Sequence, residues 1–113
     1  METIRQNIFE LIKNQQTEVI KKLLVAAPQS ANLKDERGFT PLILAAYTNA
    51  GEIVNILLDS GAAINDQDAA GNTALMGVCF KGSRSIALDL IKRGADLNIQ
   101  NRPGATALIY AAT

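Results

Sequence analysis

The sequence predicts an all-α solenoid of stacked antiparallel helix pairs joined by β-turn or hairpin loops, and three observations carry that prediction. A 33-residue period runs along the chain, each period holds two short apolar helical patterns, and polar, glycine-bearing turns separate the periods. Laid over residues 68–100, residues 35–67 are identical at ten positions: Asp35/Asp68, Gly38/Gly71, Thr40/Thr73, Leu42/Leu75, Ile53/Ile86, Leu57/Leu90, Gly61/Gly94, Ala62/Ala95, Asn65/Asn98 and Gln67/Gln100. Unrelated segments of average composition share roughly two. The register continues outward through Asn101, Gly104, Thr106 and Leu108 and backward through Leu24 and Asn32.

Taken in chain order, residues 2–34 hold a degenerate first unit. Phe9, Ile12 and Lys13 stand in place of the small residues found later, Ile20, Leu23, Leu24 and Val25 keep a second helix, and Pro28 falls where later units have glycine. This reads as an N-terminal capping unit. The unit 35–67 is the fullest. Thr40 before Pro41 marks a helix start, with a hydroxyl to cap a free N–H and proline at the first helical position. Leu42, Ala45 and Ala46 form an apolar stripe whose small members let a neighbouring helix approach. Asn49 tolerates the left-handed turn that ends this helix, a role passed to Gly82 in the next unit. Ile53, Val54, Leu57 and Leu58 line a second helix that Gly61 stops. Asn65, Asp66, Asp68 and Gly71 make the connection to unit 68–100. Residues 101–113 open a further unit that reaches only the end of its first helix, so its apolar face is expected to be covered by continuing chain, by a second copy or by another protein. Helices of about ten residues fall below the roughly 12–15 that hold alone in water. Each pair must therefore lie against the next, and one domain spanning 1–113 is expected.

Composition narrows function. The 113 residues are 48% hydrophobic and carry 11 Lys+Arg against 11 Asp+Glu. Balanced charge in short basic stretches argues against nucleic acid as a partner, because that affinity comes from clustered cations. Histidine is absent, which removes imidazole-based acid–base catalysis and the usual catalytic zinc sites. A single cysteine, Cys79, allows no internal disulfide and suits a reducing compartment, so the cytoplasm is the expected location. No stretch of about 18 apolar residues occurs, and no membrane association is expected. No metal or cofactor is expected either.

The motif Asp35-x-x-Gly38-x-Thr40-Pro41-Leu42-x-x-Ala45-Ala46, followed by Leu57-Leu58-x-x-Gly61-Ala62, resembles the ankyrin repeat. The resemblance covers 35–100 as two complete repeats, with 2–34 and 101–113 as a capping and an incomplete repeat, and it implies an ankyrin-repeat solenoid that binds proteins. The family's usual His after Thr-Pro-Leu is replaced by Ile43, Met76 and Ile109, and proline is kept only at Pro41, with Ala74 and Ala107 elsewhere.

Candidate chemistry has bland explanations. Gly77-Val78-Cys79-Phe80-Lys81-Gly82-Ser83-Arg84 approaches a phosphate-binding loop, but Ser83 replaces the required lysine and the register puts the segment on a helix and its turn. Cys79 aligns with Ala46 and Ala112, a helix-packing position that implies a buried, inert thiol. Asp35 and Asp68 read as turn residues, and Lys21, Lys22, Lys92 and Arg93 as cations at helix C-termini. The chain is therefore read as no enzyme. Partners of ankyrin proteins contact loop tips and the inner face of the first helices, which implies Glu36, Arg37, Phe39, Tyr47 and Thr48 in one unit, Ala69, Ala70, Asn72, Phe80 and Lys81 in the next, then Arg102 and Pro103. Of these, Arg37, Phe39, Tyr47, Thr48, Asn72, Phe80, Lys81 and Arg102 are the candidate partner-binding residues. Phe39 is expected to stand free at a tip. Tyr47 and Phe80, at equivalent positions, either contact the partner or pack on each other as a ladder. The functional expectation is a scaffold or adaptor binding an unidentified protein, with a structural spacer or the N-terminal part of a longer ankyrin protein as the alternative, and self-association through the uncovered C-terminal helix.

Overall fold

The computed structural model describes residues 2–111, with side chains from Ile8 onward. Ala112 and Thr113, named above at the end of the last helix, lie outside the described residues. Among the described residues seven α-helices follow one another: α1 (Glu2–Lys13), α2 (Thr17–Ala26), α3 (Pro41–Tyr47), α4 (Gly51–Asp59), α5 (Ala74–Lys81), α6 (Arg84–Lys92) and α7 (Ala107–Ala111), with a 3-10 turn at Pro28–Asn32. Among the described residues there is no strand. The odd-numbered helices pack side by side in one layer, and α2, α4 and α6 form a second layer behind them. Four helices of about 10 Å diameter laid in a row account for the longest dimension, 38 Å.

The apolar stripes become the core. Ile8, Ile12, Ile20 and Leu24 seal the first pair, Leu42, Ala45, Val54 and Leu57 the second, and Leu75, Val78, Ile86 and Leu90 the third, all buried. Helix starts follow the sequence signal: Thr40 Oγ1 accepts the Ile43 N–H at 3.1 Å, and Thr73 Oγ1 accepts that of Met76 at 3.2 Å. Asn49 (φ 62°) and Gly82 (φ 77°) both take the left-handed conformation that turns α3 into α4 and α5 into α6. In the first pair that role falls on Gln15, at φ 53°.

The loop tips are built by aspartate. Asp35 Oδ1 accepts the N–H groups of Arg37 and Phe39, and Asp68 Oδ1 those of Ala70 and Asn72, each at 2.9 Å. Successive tips then bond to each other: the Ala69 N–H donates to the Arg37 carbonyl at 3.1 Å, and the Arg102 N–H to the Ala70 carbonyl at 3.0 Å. This close approach explains Gly71, since a Cβ there would lie 2.9 Å from the Asn101 Cα, in addition to its φ of +85°. Asparagines tie the opposite ends, with Asn32 Oδ1 accepting the Ala63 N–H and Asn65 Oδ1 the Asp96 N–H, both at 2.8 Å. Behind the stack, Arg93 at the end of α6 reaches Asp59 at the end of α4, with Nη1 2.9 Å from Oδ1.

Val25 lies on α2 as read from the sequence, and it is 84% exposed because it sits one residue, about 100° of helix, beyond the buried Leu24. One detail of the sequence reading changes. Cys79 is only partly buried, although desolvation still pushes its thiol pKa up, which keeps the reactive thiolate scarce near neutral pH.

Replacing Gly71 and Gly104 separately by Ala tests the docking of the tips. Both glycines have nearly the same φ, 85° and 88°, but nothing lies within 4 Å of a Cβ on Gly104. Denaturant unfolding is expected to show a loss of about 1 kcal/mol for Gly104→Ala, from φ strain alone, and at least twice that for Gly71→Ala. Equal losses would mean the tips do not touch. Among the described residues the buried Ser30 hydroxyl has no hydrogen-bond partner, so Ser30→Ala is expected to raise stability by about 1 kcal/mol in the same measurement.

Candidate functional site

The short first helices α3 and α5 leave a groove between them, open toward solvent beneath the tip turns, with a cavity volume of about 280 Å³. Ile43 and Met76 form its buried base, while Phe39, Tyr47, Phe80 and Tyr110 surround it. Asp68, Asn72 and Thr73 complete the tip side. Ile43 and Met76 are the residues that stand where the ankyrin pattern has histidine, so the departure noted in the sequence turns a polar base into an apolar one.

The aromatic residues do not stack as a simple ladder. The Tyr47 ring lies against Gly77, where a Cβ would come 3.1 Å from its Cδ1, and the Lys81 Nζ sits 4.9 Å from its centroid. Phe80 instead meets Tyr110 edge-on, with centroids 5.9 Å apart and planes at 89°. Each aromatic thus touches the following unit, but at an offset position, and both stay open to solvent: Tyr47 is 42% and Phe80 62% exposed. Phe39 differs from expectation. It is half-buried and packs against the core, because the Asp35 turn draws its backbone back over α3.

The remaining candidates separate by position. Asn72 borders the groove. Lys81 stands beside it over Tyr47, and Arg37 and Arg102 lie exposed on the tips. Thr48 is exposed, but its hydroxyl donates back to the Leu44 and Ala45 carbonyls at 3.0 and 3.2 Å, so it serves the end of α3. Arg37, Phe39, Tyr47, Asn72, Phe80, Lys81 and Arg102 therefore gather on one side of the molecule, around the groove and the tips above it.

One contributor carried no repeat signal: Tyr110 aligns with Leu44 and Gly77, so the register gave no reason to single it out. Ile43 and Met76 were visible only as departures from the ankyrin histidine, with nothing in the sequence to place them under a groove. Asn101 replaces the tip aspartate, and the change is structural: its Oδ1 accepts the Ala105 N–H at 2.8 Å while its Nδ2 donates to Asn72 Oδ1 at 2.9 Å and to the Tyr110 hydroxyl at 2.8 Å. A carboxylate could accept from the Ala105 N–H and from the tyrosine hydroxyl, but it could not donate to the Asn72 oxygen. Among the described residues no group of three His, Cys, Asp or Glu side chains is placed to hold a metal, and no helix is long and apolar enough to cross a membrane.

Residues 8–101 match the family model described as ankyrin repeats in three copies. No curated relative matches the chain. The family match spans most of the 113 residues, and the threonine-capped inner helices, paired outer helices and aspartate-anchored tips follow the same plan. The chain belongs to the ankyrin-repeat family.

Proposed function

We propose that the chain is a non-enzymatic protein-interaction module, a scaffold or adaptor of the cytoplasm, that holds a protein partner in the groove between α3 and α5 and across the tips above it. Ankyrin repeats are generally protein–protein interaction modules. The observation that supports this site is the placement of Tyr47 and Phe80, large and well exposed beside a preformed apolar groove. Aromatic side chains bordering such a groove are the residue type that dominates interface energy, and a base fixed by core packing lowers the ordering cost of binding. The units 2–34, 35–67, 68–100 and 101–113 act together as one domain in this reading.

Self-association through α7 is a second proposal. Leu108 is 73% exposed, whereas its register equivalent Leu75 is 1% exposed beneath α7. Such an apolar face loses exposure if a second copy covers it.

Partner capture from lysate, compared across variants, tests the first reading. Phe80→Ala and Tyr47→Ala are expected to keep the helical circular dichroism of the parent and to lose the captured protein, while Leu88→Ala, on α6, retains it. Capture that survives both groove variants would favour a spacer. For the second reading, sedimentation at increasing concentration is expected to show a dimer that Leu108→Ser abolishes, and a monomer throughout would contradict it.

A further inference from the structure

The groove and its surroundings carry a chemical preference. Its cavity lies just below the roughly 300–1,000 Å³ typical of pockets that enclose whole small ligands, a size suited to one or two apolar side chains. The base and sides are apolar or aromatic, so the inserted side chain must be apolar too.

A hydrogen-bond donor is fixed at the tip side. The Ala105 N–H can only donate, so Asn101 Oδ1 must face it, and Asn101 Nδ2 must then donate to Asn72 Oδ1. With its oxygen so engaged, Asn72, which lines the groove, has an amide nitrogen with no acceptor among the described residues. A peptide carbonyl passing along the groove is the natural acceptor.

Charge supplies the third element. Row by row, the tips present Glu36 and Arg37, then Ala69 and Ala70, then Arg102 and Pro103. The two alanines form a low saddle between two arginine-bearing tips, and the tip-to-tip backbone bonds hold the three turns in place. Neither Arg37 nor Arg102 forms an ion pair among the described residues, and neither does Lys81. Against these cations stand Asp35, Glu36 and Asp68, and the Asp35 and Asp68 carboxylates are each engaged by two N–H groups of their own turns. The balance around the groove favours an anionic partner.

We propose that the site binds an extended acidic peptide segment, with one apolar side chain seated among Phe39, Tyr47, Phe80 and Tyr110, a carbonyl accepting from Asn72, and a carboxylate crossing the alanine saddle between Arg37 and Arg102. The proposal rests on the interaction reading above and adds the class of partner to it. An extended segment fits better than a helix, because a helix bonds its own carbonyls internally and could not offer one to Asn72 from its middle.

Fluorescence polarisation with labelled octapeptides tests it. The parent peptide has a Gly/Ser background, one Leu, and two Glu residues beginning two positions after it. Matched peptides carry Gln or Lys in place of Glu, or Ala in place of Leu. The expected order of affinity is Glu, then Gln, then Lys, with about tenfold between the extremes at low salt and less at high salt. The Leu-to-Ala peptide is expected to bind at least as weakly as the Lys peptide, and the double variant Arg37→Glu, Arg102→Glu should invert the charge order. Equal binding of Glu and Lys peptides, or an order unchanged by the double variant, overturns the acidic preference. Failure of every octapeptide to bind at about 1 mM overturns the short-segment proposal. In each of these cases the interaction reading still stands if lysate capture depends on Phe80, and falls only if capture ignores it.

Discussion

The contact between one helix pair and the next is the constraint on which the molecule depends. A helix of seven residues such as α3, or nine such as α4, cannot hold itself in water, and a single pair has too little interior to compensate. Burial arises only when Leu42, Ala45 and Val54 meet the following unit, and Leu75, Val78 and Leu90 repeat the arrangement one step on. The backbone bonds between tips and the asparagine bonds at the opposite ends fix the spacing and rotation of each step. Because those bonds come from the main chain and from Asn32 and Asn65, they recur at 33-residue intervals while the residues around them change.

That division of labour also produces the groove. The positions that set the step are small or capping residues, and the remaining inner-helix positions are free to vary. Here they hold Ile43 and Met76 at the base and Gly77 beneath Tyr47, and a larger side chain at Gly77 would displace the ring. The tips vary in the same way, and alanines at 69 and 70 lie low between arginine-bearing neighbours. The frame is thus repetitive and the surface is individual, which is why family membership gives a general role in protein interaction and the site itself must indicate the partner.

Much of the frame was legible in the sequence for a physical reason: capping, turn and stacking requirements recur with the period, so Thr40, Asp35, Asn49 and Gly61 each announced a backbone role. The side-chain partners across units were not legible. Tyr47 and Phe80 hold equivalent positions yet pack differently, because the helix beside Tyr47 offers Gly77 and the helix beside Phe80 offers Tyr110. Phe39 looked free at a tip, but the Asp35 turn folds it onto the core. Thr48 looked like a surface contact, and its hydroxyl is spent on its own helix. Val25 kept the composition of a core helix while pointing away from it. In each case the outcome depends on how a side chain turns within its own loop or helix, or on a partner in the next unit, neither of which a repeat count contains.

Amide hydrogen exchange followed residue by residue addresses the stacking most directly. The Ala69 and Arg102 amides sit at loop tips, where exchange is ordinarily fast, but each donates to the preceding tip. They should exchange slowly, through the same opening events as the buried amides of α3 and α5. Exchange of both at the rate of free peptide, with the helices still protected, would show that the units fold without docking at their tips and would contradict the account.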